Sequence, residues 1–111
     1  MIKRQIGKIQ EVNFGHCGYQ DCCIGIYFSL GSEKDSWGVS DSWGDWYLER
    51  SDSAKWTENG RLKRLGKTCM DIAKLLEDAK VTNITDLIGV PVEVTFDSNC
   101  LKSWRILTEV I

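Results

Sequence analysis

Between residues 16 and 23 the chain reads HCGYQDCC, gathering its single histidine, three of its five cysteines, a tyrosine, a glutamine and an aspartate. His16, Cys17, Cys22 and Cys23 are zinc-ligand types. A structural zinc site, however, needs separated ligand pairs that converge tetrahedrally, and strand alternation sends the neighbours Cys22 and Cys23 to opposite faces. No metal and no cofactor are expected. A thiolate nucleophile would need a base within hydrogen-bond reach, a third group to orient that base and a turn that stabilises an oxyanion. None can be picked out, and no nucleophile elbow, phosphate loop, HExxH pair or dinucleotide turn occurs. No catalytic residue is assigned, and a cysteine- or metal-dependent enzyme stays only as a third alternative. Tyr19, Gln20 and Asp21 differ from these because an aromatic ring, an amide and a carboxylate on a glycine-hinged loop are the tools for reading a nucleobase or a partner's backbone. The plain alternative is that Gln20 and Asp21 satisfy loop amides and Tyr19 covers the end of the sheet.

A second constellation lies in DSWGVSDSWGDWYLE, where the DSWG of residues 35–38 returns at 41–44. Trp37, Trp43 and Trp46 concentrate aromatic area there. At least one or two are expected to fill the core, and any left exposed would anchor a partner. The segment 33–53 holds Glu33, Asp35, Asp41, Asp45, Glu49 and Asp52 against Lys34 and Arg50. Asp35, Asp41 and Asp45 are expected to repel phosphates, which counts against nucleic acid. A third group, Lys63, Arg64, Lys67 and Lys74, reads either as a phosphate-facing patch or as the solvated side of a helix.

These residues must be positioned by a small set of elements. Ile2, Ile6, Val12 and Phe14 share one parity that Ile9 breaks, which predicts a long first strand with a bulge near Gly7 or between Ile9 and Val12. Gly15 to Asp21 is expected to form a wide hairpin loop. Cys22, Ile24, Ile26, Phe28 and Leu30 then alternate with small or polar residues as a half-buried second strand. The tryptophan segment reads as a third, interrupted strand in which the even spacing of Trp37 and Trp43 puts them on one face. From Thr57, a candidate N-cap, Leu62, Leu65, Cys69, Ile72, Leu76 and Ala79 recur at helical spacing, with Lys80 near the C-terminal end. Thr85 is expected to cap a short turn ending at Gly89. Two strands follow around Asp97-Ser98-Asn99, with Pro91 at a strand start, Val92, Val94 and Phe96 on one side of the first, and Trp104, Ile106 and Val110 on one side of the second.

The order βββαββ predicts an α+β fold, five antiparallel strands forming an OB-like barrel or a curled sheet, with one long helix packed on it. The stripe Leu62, Leu65, Cys69, Ile72 and Leu76 is expected to cover the face built from Ile24, Ile26, Phe28, Val92, Val94 and Phe96. At 111 residues, with 42% apolar and 27% charged composition and a net charge of −2, the chain is read as a single domain, 1–111, large enough for its own core. No signal-like or membrane-length apolar stretch is found, and five cysteines at irregular spacing do not suggest a disulfide framework.

The strings GYQD, CMDIAKLLEDAKV, DLIGVPVEVTF and LKSWRILTEV together resemble a group of small proteins, about 110 residues long, carried by bacteriophages and prophages. The resemblance implies a bacterial cytoplasmic location and, by association with other small phage proteins, a host factor as target. The expected function is therefore a non-catalytic binding protein that blocks a host protein, such as a defence factor, or sequesters a nucleotide-like ligand, through Tyr19, Gln20, Asp21, Trp37, Trp43 and Trp46. The runner-up is a single-stranded nucleic-acid-binding OB-like domain. No membrane partner is expected, and a homo-oligomer is left open.

Overall fold

Strict alternation over Ile24, Ile26, Phe28 and Leu30 is what a strand with one dry face requires, and the computed structural model puts the last three at the centre of the core. The structure describes residues 1–17, 23–46 and 57–111. Five strands, β1 (Ile2–Cys17), β2 (Cys23–Ser32), β3 (Trp37–Trp46), β4 (Pro91–Asp97) and β5 (Cys100–Ile106), form one antiparallel sheet in the order β3-β2-β1-β4-β5. The helix α1 (Glu58–Ala79) enters between β3 and β4.

β1 pairs with β2 along its C-terminal half and with β4 along its N-terminal half. Its register on β2 shifts between Ile9 and Glu11, where Gln10 is the extra residue. Such a bulge reverses which parity faces inward. Ile9 and Val12 are therefore both buried, while Ile2 and Ile6, which share Val12's parity but precede the bulge, lie on the solvent face, as a bulge between Ile9 and Val12 predicts. The ladder also runs further than anticipated: Gly15, His16 and Cys17 pair with Gly25, Ile24 and Cys23. His16 and Cys17 thus belong to a strand rather than to the expected loop.

β3 is one continuous strand with no interruption. The first DSWG straddles its start, where Asp35 lies in the β2–β3 turn and accepts a bond from Ser32 Oγ at 3.3 Å, and the second lies inside it. The two glycines of the repeat do different work. A Cβ on Gly38 would find ordinary space, whereas one on Gly44 would fall 2.3 Å from the Ile24 carbonyl oxygen. Gly44 faces Gly25 in the ladder, and only a glycine pair lets β3 coil this tightly over β2.

β4 and β5 turn through Ser98 (φ 52°) and Asn99 (φ 68°), both left-handed as a tight hairpin demands. Thr85 does not cap the short 3₁₀ turn Ile84–Leu87; Asn83 holds the cap position, without a side-chain bond. Val110 lies in a C-terminal 3₁₀ turn, Thr108–Val110, and is exposed, so it does not share the face of Trp104 and Ile106.

The order β3-β2-β1-β4-β5 would become a ring if β3 met β5, but the two remain edges. The sheet is a curled half-barrel, with α1 lying against both edge strands. Phe28, Ile9, Ile26, Leu30, Leu87, Val92 and Val94 are fully buried within the curl. Each contributes roughly 1.5–3 kcal/mol by leaving water.

Thr57 caps α1 as expected, its Oγ1 accepting the Gly60 N–H at 3.0 Å. Lys80 closes it in the left-handed conformation (φ 58°), a position usually taken by glycine. The helix is turned about one residue from the expected orientation. Leu75 and Ala79 are buried, Leu65, Ile72 and Leu76 are half-buried, and Leu62 and Cys69 face solvent. Arg61, Arg64, Thr68 and Asp71 come round toward the sheet instead. Apolar periodicity could not show this, because the observed orientation goes with a charge pairing to β3. Among the described residues no helix is long and apolar enough to cross a membrane.

Candidate functional site at the open seam

The inward face of β3 carries Trp37, Val39, Asp41, Trp43 and Asp45, so the parity that brings in the tryptophans also brings in two carboxylates. Buried charge is tolerated only when it is paired and hydrogen-bonded. Asp41 meets that requirement with aromatic donors. Its Oδ2 accepts the indole Nε1–H of Trp43 at 3.1 Å and that of Trp104, from β5, at 2.7 Å. Its Oδ1 accepts the Ser42 amide at 2.9 Å. One carboxylate on one edge strand thereby holds a side chain from the other. The two indoles lie nearly parallel, 5.7 Å apart with 16° between planes, and Phe28 presents an edge to both at 4.8 and 4.9 Å. Asp45, buried four residues after Asp41, accepts from Nε of Arg64 on α1. The half-barrel is thus closed by side chains where its backbone stays open.

Beside this seam, between α1 and β5, lies a cleft of about 470 Å³. Trp43, Trp104, Leu75 and Ile106 give it apolar walls, and Asp71, Lys74, Asp78, Arg105 and Thr108 surround them. The rim charges are organised rather than loose. Lys67 pairs with Asp71 at 2.7 Å and Lys74 with Asp78 at 3.1 Å, each one turn apart on α1. Arg105 reaches Glu109 through two bonds of 2.7 and 2.8 Å and Glu93 at 3.3 Å. Hydrogen bonding from Arg105 holds the Glu109 carboxyl down at about 2, and the same contact raises the guanidinium above its ordinary value. The C-terminal turn is therefore tied to the cleft's lip. A second hollow, about 710 Å³, lies at the β2–β3 turn among Ile6, Gln10, Lys34 and Ile88. It has no aromatic wall.

The sequence-predicted site residues divide into three groups. Tyr19, Gln20 and Asp21, with Cys22, lie outside the described residues, as does the side chain of Trp46. Trp43 stands in the cleft wall. Trp37 belongs to the core rather than to a surface, its ring edge-on to Phe96 at 5.6 Å and its Nε1 buried. Asp41, Trp104 and Arg105 were not singled out beforehand. Parity alone pointed to Asp41, which is an even step from both tryptophans of the repeat.

Two expectations about charge change as well. Asp41 and Asp45 turn inward, so of the three acids expected to repel phosphates only Asp35 remains exposed. In the basic helix group, Arg64 is committed to Asp45, Lys67 and Lys74 to acids on their own helix, and Lys63 alone points to solvent unpaired among the described residues. Among the described residues no group of three His, Cys, Asp or Glu side chains converges in a way that could hold a metal ion. Cys69 and Cys100, both exposed, are free thiols.

Fold and site together define a curled half-barrel with an aromatic, side-chain-closed seam. No protein-family model, no curated protein and no solved structure matches the chain.

Proposed function

We propose that the chain is a non-catalytic binding protein that takes its partner at the seam, and that the partner is another protein. The observation that carries this reading is that β3 and β5, edge strands among the described residues, bring Trp43 and Trp104 together as the wall of a cleft between α1 and β5. An open edge offers backbone donors and acceptors to an extended segment, and a neighbouring apolar cleft offers a pocket for its side chains. The Asp41 clamp supports the same reading, since it spends the indole N–H groups inside the protein and leaves the rings to act as a rigid apolar wall. The resemblance to small phage proteins points to a bacterial host factor as the target. Tyr19, Gln20 and Asp21, which the sequence singles out for binding, would extend the contact.

A smaller ligand is favoured by one specific observation. The cleft's volume falls within the range of small-molecule sites, and its aromatic wall suits a planar, nucleotide-like ring. Replacing Thr108, exposed at the rim, by tryptophan fills the cleft without entering the core. Protein captured from bacterial lysate by the wild type but not by Thr108→Trp supports the protein-partner reading. A metabolite retained in native mass spectrometry and lost in Thr108→Trp supports the small-ligand reading. Capture unchanged by the substitution rejects the seam for both.

A further inference from the structure

The side of α1 facing away from the sheet carries exposed Lys63, Lys67, Lys74 and Glu77, but a strip without charge runs among them. Leu62 is 57% exposed and Met70 71% exposed, and Gly66, Cys69 and Ala73 are exposed beside them on the same face. Steps of four, three and four residues put Leu62, Gly66, Cys69 and Ala73 in line along 3.6-residue turns. The residues in the middle are small, so a second helix can approach closely there. Charge is distributed unevenly along the same helix. From 61 to 67 it carries Arg61, Lys63, Arg64 and Lys67 with no acid, and from 71 to 78 it carries Asp71, Glu77 and Asp78 with only Lys74. Lys63 and Glu77, both exposed, make no ion pair among the described residues.

We infer that this face is the contact between two copies of the chain, related by a twofold axis that crosses α1 near Cys69 and Met70 and pairs the helices antiparallel. Gly66 and Ala73 are equidistant from that axis, so each small residue meets the other across the contact, and Leu62 lies level with the partner's Glu77. Lys63 and Glu77 sit within one residue of equal distance on either side, which brings Lys63 to the partner's Glu77 twice over. A parallel pair would instead set the basic half against the basic half. The helix dipoles favour the antiparallel arrangement as well. A twofold contact needs a self-complementary surface, and the apolar stripe with oppositely charged ends supplies one. The seam lies on the other side of α1, so this association leaves the cleft open.

Sedimentation equilibrium of the full chain, run from about 1 to several hundred micromolar, tests the inference, since contacts of this limited kind fall in the weak, concentration-dependent class. A reversible dimer is expected. Met70→Glu should weaken it at least tenfold while the thermal melt stays where it was, because Met70 touches little of its own subunit. Lys63→Glu alone and Glu77→Lys alone should each weaken it about three- to tenfold, and the two together should restore it. A short bis-maleimide should join Cys69 to the partner's Cys69, read by mass in the tryptic peptide that spans residues 68–74. A monomer at every concentration overturns the inference. So does a dimer indifferent to Met70→Glu, or one in which the double charge reversal is no better than the single changes.

Discussion

Replacing Asp41 by alanine should destabilise this protein far more than the loss of a half-buried acid on an edge strand usually does. The carboxylate accepts three hydrogen bonds, two of them from indole N–H groups on opposite edges of the sheet, at 3.1 and 2.7 Å. Removing it leaves two half-buried donors without an acceptor, at about 1–3 kcal/mol each. The expected cost is about 2–5 kcal/mol, a large part of the roughly 5–15 kcal/mol that a domain of this size possesses. Asn keeps one oxygen for the indoles but sets its amide against the Ser42 N–H, so Asp41→Asn should fall between the wild type and the alanine variant. Urea unfolding followed by tryptophan emission measures both quantities. A double-mutant cycle with Trp104→Phe isolates the cross-seam bond, with a coupling of about 1.5–3 kcal/mol for a hydrogen bond to a charged group. If Asp41→Ala costs less than about 0.5 kcal/mol, the ordinary range for surface changes, the indoles are held by apolar burial alone and the clamp is no part of the fold.

Three further outcomes follow from the packing and the charges. Gly44→Ala, whose new methyl would press on the Ile24 carbonyl, should cost about 1–3 kcal/mol in thermal or urea unfolding, while Gly38→Ala in the twin of the same repeat should be nearly neutral. Leu75→Ala should cost about 2–5 kcal/mol by the same measurement and Leu62→Ala under about 0.5 kcal/mol, because only the first lines the core. Glu109, held at about 2 by Arg105 against its usual 4.5, should keep the C-terminal turn docked above pH 4.5 and release it as pH falls through 2. Carboxyl NMR titration should find that low midpoint in the wild type and an ordinary one in Arg105→Ala.

Much of the fold could be read from the chain because its elements obey a single period. The β2 alternation, the Thr57 cap, Pro91 at a strand start and the Asp97 to Asn99 turn each follow from local chemistry, and together they give the strand order. Where two signals compete, local pattern fails. In β1 it failed only in detail: the break that Ile9 makes in the parity of Ile2, Ile6 and Val12 predicted a bulge near Gly7 or between Ile9 and Val12, and the pairing to β2 fixes it at Gln10. In α1 the stripe through Leu62 and Cys69 was as periodic as the one that is buried. The orientation observed pairs Arg64 with Asp45, a contact 19 residues apart in sequence that no helical period encodes. The site was legible in part. Trp43 and its parity with Trp37 were evident, but Asp41 looked like solvent-facing charge, because its partner Trp104 lies 63 residues away. Tyr19, Gln20 and Asp21 lie outside the described residues, so their part in binding rests on the sequence.

The seam itself can be tested inside bacterial cells. A photo-crosslinking amino acid placed at Thr108, on the cleft rim, reports on what touches the seam, and one at Ser40, exposed on the outer face of β3, serves as the comparison. The proposed function predicts a discrete cross-linked protein from position 108 that is absent from position 40 and is lost when Lys74→Glu reverses the charge beside the cleft. Cross-links from position 40 with none from position 108, or a product from 108 unchanged by Lys74→Glu, would contradict it.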